Sequence, residues 1–97
     1  MALKSGWNEI IPNTDYQREL NHCALRVVRS SEEQKSWVIE ITERLMIRDM
    51  REIIEASTPQ VAMAKAEAIA KARFIALEYF YTKCSAEVKD ADLKLIL

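Results

Sequence analysis

The sequence predicts an all-α fold: a small helical bundle of three to four helices, with an extended N-terminal arm and a long Ala-rich third helix. Three observations predict it. The 97 residues contain one glycine, Gly6, and no Asn-Gly or Asp-Gly pair, so tight turns between short strands lack their usual residues. Good helix formers (Ala, Glu, Leu, Lys, Arg and Met) dominate from Thr14 onward. Pairs with the spacing of a capping box recur: Thr14 with Gln17, Ser30 with Glu33, Ser31 with Gln34. With 49% hydrophobic and 30% charged residues the chain is too apolar to stay disordered, and its length fits a single domain over 1–97.

Residues 1–13 read as an arm, with Gly6, Pro12 and little periodicity. Its large apolar residues, Trp7, Ile10 and Ile11, either pack on this chain's own helices or dock on a neighbouring subunit, since a terminus is ordered only when something ties it down. The first helix is expected over about 14–29. Asp15 suits the positive end of its dipole, and Tyr16, Leu20, Cys23 and Val27 fall on one face. A second helix is expected over 31–56. There Glu40–Arg44 and Arg51–Glu55 have the i,i+4 spacing of opposite charges, while the apolar side covers roughly 200° of the wheel. A third is expected over 59–84: Thr58 caps it, Pro59 takes the first helical position, and seven alanines lie between Ala62 and Ala76. Ser85 or Asp90 marks a break before a last short helix over 86–97; otherwise the third helix continues.

One small chain cannot cover apolar faces that wide, and a bundle needs only about 100° per helix. The excess predicts burial against other copies or other subunits. Candidate partner-binding residues are Trp7, Ile10 and Ile11 in the arm, Trp37, and Leu95, Ile96 and Leu97 at the far end.

Several function classes are excluded or disfavoured. Phosphate-cradling loops need several glycines together. No apolar run approaches the ~20 residues of a membrane span, and the start of the chain lacks the apolar core of a secretory signal. A cytoplasmic location with reduced thiols follows as the expectation. His22 and Cys23 are neighbours, and on a helix they point about 100° apart, so they make no local catalytic pair. Cys23 and Cys84 read as core residues. No acidic group has the spacing of a carboxylate metal site or an EF-hand loop. No enzyme activity, cofactor, metal, membrane or small-molecule substrate is expected.

The sharpest polar feature is a basic stripe of Arg18, His22, Arg26 and Arg29, with spacings of 4, 4 and 3. It is an ordinary solvated helix face, pairs with the acidic second helix, or follows a phosphate backbone. Net charge, at −1, does not favour nucleic acid. The expected function is therefore a non-enzymatic helical subunit that packs against itself or other protein subunits as an assembly, adaptor or structural component. The alternative is a helical accessory subunit of a nucleoprotein complex, touching DNA or RNA backbone through the basic face.

Overall fold

Residues 6–44, 48–76 and 84–96 are described by the computed structural model, and the first half of the chain is sheet. Five strands, β1 (Trp7–Ile11), β2 (Asp15–Glu19), β3 (Cys23–Val28), β4 (Ser36–Glu43) and β5 (Arg48–Glu55), precede one long helix, α1 (Pro59–Ala76). The strands pair antiparallel in chain order, so the sheet is a meander with β1 and β5 at its edges. A helical stretch at 84–87 and a 3-10 turn at Leu93–Leu95 complete the described residues.

This overturns the all-α bundle and the helical subunit built on it. The helix expected over 14–29 is the β2–β3 hairpin, that over 31–56 is β4 and β5, and the arm contributes β1. The physical reason is a period of two. Cys23, Leu25 and Val27 alternate inward along β3, and Trp37, Ile39, Ile41 and Glu43 do so along β4. Neighbouring strands keep those residues opposite one another: Tyr16 faces Val27, Val27 faces Ile39, and Leu25 faces Ile41. The β-branched Val, Ile and Thr residues of these segments pack well on such a pleated face, and tertiary burial overrides weak helix propensity. Of the helix expected over 59–84, Pro59–Ala76 is helical and 77–83 lies outside the described residues. In place of a helix over 86–97 the chain turns after Val88, and the Asp92 side chain caps the 3-10 turn by accepting from the Lys94 N–H at 3.0 Å.

The turns work without glycine. Between β1 and β2, Asn13 takes the left-handed φ of 63°, with Pro12 before it and the Thr14 N–H donating to the Ile11 carbonyl at 3.1 Å. Proline second and a positive-φ asparagine third is the pattern of a type II turn. Between β2 and β3 a two-residue loop, Asn21-His22, is closed by the Leu20 N–H on the Cys23 carbonyl at 2.9 Å. The longer β3–β4 loop is held by Arg29, which donates to the Asn13 carbonyl at 2.7 Å and the Gln34 carbonyl at 2.9 Å.

α1 covers the inner face of the sheet, lying chiefly against β3 and β4. It opens at Pro59, where the Thr58 hydroxyl accepts from the Val61 N–H at 3.2 Å. Ala62, Ala66 and Ala70 are buried beside Met63 and Phe74, and their small side chains let the helix sit close to the sheet. Trp37 is wholly enclosed, its indole N–H on the Ala56 carbonyl at 3.3 Å and its ring 6.5 Å from that of Tyr16. One ion pair is buried in this layer. Arg18 of β2 donates to Glu67 of α1, and the Trp7 indole N–H lies 3.4 Å from the same carboxylate oxygen.

Candidate interaction surface

On the outer face of the sheet the strand register builds rows. One row is charged: Gln17, Arg26, Glu40 and Arg51 stand side by side across β2 to β5. Arg26 grips buried Asp15 through two hydrogen bonds, at 3.1 and 2.8 Å, and reaches Glu40 at 3.6 Å. Arg51 meets Glu40 more loosely, at 3.8 Å. The next row is Ile11, Asp15, Val28, Val38 and Ile53, and it crosses all five strands. Its far end is bare: Ile53 is 74% exposed, on the edge strand. A shallow cleft of about 360 Å³ runs beside it, lined by Val28, Arg29, Val38 and Ile53.

No strand pairs with this edge among the described residues. The Ala56 N–H donates to the Lys35 carbonyl at 2.9 Å, in step with the β4–β5 register. Ile54, Glu52 and Met50 therefore turn their backbone groups toward β4, and Glu55, Ile53 and Arg51 turn theirs outward. The Glu55 carbonyl accepts from the Lys65 ammonium at 2.8 Å, as an outward group can. On the helix side of β5 a groove of about 480 Å³ is lined by Ile54, Ile69, Leu95 and Ile96, with Glu52 and Arg73 paired at 2.6 Å on its wall.

The residues singled out from sequence part company here. Ile10, Ile11, Leu95 and Ile96 are exposed, whereas Trp7 and Trp37 are taken up by this chain's own core. Leu97 lies outside the described residues. The basic stripe of the alternative reading does not exist as a stripe. On strands, spacings of 4, 4 and 3 do not make a single face. Arg18 points inward to Glu67 and His22 sits on the β2–β3 loop against Glu87. Arg26 holds Asp15 on the outer face, and Arg29 lies 4.4 Å over the Trp37 ring. No helical face follows a phosphate backbone, and the nucleoprotein reading that needed one falls with it. Ile53 and the edge of β5 escaped sequence reading. Their signal is the alternation Asp49, Arg51, Ile53, Glu55, which a helical wheel scatters.

No family model matches the chain, and no curated protein or solved structure matches it. Function rests on the surface alone. Among the described residues no helix is long and apolar enough to cross a membrane, and no group of three His, Cys, Asp or Glu could hold a metal ion.

A second polar cluster lies at the β2–β3 loop. Glu87 accepts from the His22 backbone N–H at 3.1 and 3.0 Å, from its ring at 2.9 Å and from the Cys23 thiol at 3.5 Å. Cys84 donates to the His22 carbonyl at 3.4 Å. Burial and the neighbouring carboxylates push both thiols up, and Cys84 adds to the rise at Cys23, which makes them poor nucleophiles. Burial also pushes Glu87 up, but the hydrogen bonds from His22 and Cys23 and the His22 charge outweigh it, and the carboxyl sits below its ordinary value of 4.5. A depressed carboxyl contributes stability above its unfolded value, and that contribution is lost as pH falls through the folded one. Stability is therefore expected to decline from about pH 4.5 downward, and less steeply in Glu87→Gln. Urea unfolding between pH 3 and 7 checks this; identical slopes in both proteins would count against it.

Proposed function

We propose that this protein is a non-enzymatic binding module that joins protein partners through the β5 side of its sheet. The observation that carries the reading is the apolar row Val28, Val38 and Ile53, which ends on an edge strand with Ile53 74% exposed. Long edge strands are ordinarily covered, bulged or shortened, because their bare N–H and C=O groups template pairing. β1 follows that rule: it has five residues, an irregular register between Glu9 and Ile11, and Pro12 beyond. β5 has eight residues, a regular register with β4 and no proline. The two thiols fit the same reading, since both are buried.

The test is photocrosslinking in the cells that make the protein. Benzoylphenylalanine replaces Ile53, or Glu19 as a control at an exposed position on the far side of the sheet. The expected result is a covalent adduct of defined mass from position 53 and none from 19. Equal adducts from both positions, or none from 53, would sink the reading.

A further inference from the structure

Resting on the reading of β5 as a docking edge, we infer that its occupant is a second copy of this chain, paired antiparallel about Ile53 to make a continuous ten-stranded sheet. The charges on β5 decide between the possible pairings. Self-pairing across a two-fold axis sets outward residues opposite outward residues, which leaves few registers. Centring on Arg51 sets it against its own copy. Centring on Glu52 sets Asp49 against Glu55, and Glu52 against itself. Centring on Met50 pairs Asp49 with Arg51, but it leaves Ile53 beyond the paired segment and calls on Glu52, which Arg73 already holds at 2.6 Å. Centring on Ile53 sets the two most exposed apolar side chains against each other and faces Arg51 with Glu55 on both sides.

That register also uses the backbone as it stands. Arg51, Ile53 and Glu55 are the residues whose N–H and C=O groups turn outward, so the new ladder forms without moving β5; the Glu55 carbonyl, which takes the Lys65 ammonium at 2.8 Å, has a second lone pair for the Arg51 N–H of the other copy. On the outer face the apolar row of one copy runs on into that of the other, Val38, Ile53, Ile53, Val38. On the helix face, the grooves lined by Ile54, Ile69, Leu95 and Ile96 come side by side. Like charges directly opposite on neighbouring strands destabilise, and opposite charges stabilise, so β5 permits this pairing and disfavours the registers centred on Arg51 and Glu52; centring on Ile54 sets Ile53 against Glu55 and carries Arg51 past the end of the strand, so it forfeits both favourable contacts.

The experiment is light scattering and sedimentation equilibrium on the purified full chain, up to about 1 mM. The chain is expected to dimerise reversibly. Arg51→Glu and Glu55→Arg should each weaken the dimer about tenfold or more, because each sets like charges opposite twice per dimer. The double variant R51E/E55R should return to within about threefold of the parent, and Ile53→Asp should leave only monomer. All four variants alter only exposed side chains, at positions 51, 53 and 55, and circular dichroism confirms that each is folded. A monomer at every concentration overturns self-pairing, and a double variant no tighter than the singles overturns the register about Ile53, since that is what a register centred on Met50 gives. If the purified chain is monomeric while position 53 still captures a different polypeptide in cells, self-pairing fails and the docking reading stands. If position 53 captures nothing, the docking reading fails as well.

Discussion

Replacing Glu67 by alanine is expected to destabilise the fold by about 3–5 kcal/mol, the cost of breaking a buried ion pair from one side. The Glu67 side chain is 2% exposed and that of Arg18 11%. Truncating the carboxylate leaves the guanidinium enclosed without its counter-charge, and it takes the acceptor from the Trp7 indole N–H. Arg18 has little in reserve, since its Nε already lacks a hydrogen-bond partner among the described residues. Gly6 adds to the confinement: a Cβ there would lie 3.0 Å from that nitrogen. The loss corresponds to a fall in melting temperature of about 15 °C or more for a domain of this size. The double variant Arg18→Met/Glu67→Met should recover most of the loss, because apolar groups of similar volume often replace a buried pair at little net cost. Urea unfolding followed by circular dichroism measures both. A single variant within about 1 kcal/mol of the parent would show that water reaches the pair freely.

Trp37→Ala is expected to cost a similar amount, about 3–5 kcal/mol, by a different route. Trp37 is the largest fully buried side chain, and it lies where β4 meets the long β3–β4 loop. Its loss leaves a cavity beside Tyr16, strips the Ala56 carbonyl of its donor and removes the ring on which Arg29 lies. Trp37→Phe keeps much of the volume and loses the N–H, so about 1–2 kcal/mol is expected. Ile53→Ala supplies the contrast. Within an isolated chain it should stay within about 0.5 kcal/mol, because that side chain packs on little. Equal losses at 37 and 53 would mean that the sheet face described as outer is covered in the monomer.

Some of this was legible in the sequence. Thr58-Pro59 marks the start of α1, and the apolar company of Cys23 and Cys84 fits their burial. The sheet was hidden by two coincidences. Tyr16, Cys23 and Val27 do share one buried side, but as residues of two adjacent strands rather than of one helix. And the scarcity of glycine counted against turns that the chain makes without it, with a positive-φ asparagine at Asn13 and with the two-residue loop Asn21-His22. The apolar sector of roughly 200° over residues 31–56 was itself the clue: a helical wheel smears a two-residue alternation around its rim. Trp37, Ile39 and Ile41 against Val38, Glu40 and Thr42 are that alternation. The Arg18–Glu67 pair was not legible at all, since it joins residues 49 apart across two layers.

The order of elements along the chain has a consequence for how the protein is made. All five strands pair with their neighbours in sequence, so the sheet is built from short closures that form quickly. The helix that covers its apolar face is synthesised only afterwards. During translation the meander emerges with Tyr16, Leu25, Val27, Trp37, Ile39 and Ile41 facing water on one side and the edge of β5 bare. Arg18 waits in that face for a carboxylate not yet made. Until α1 follows, that face is open to any other apolar surface, and α1 is the element that both covers it and brings Glu67 to Arg18.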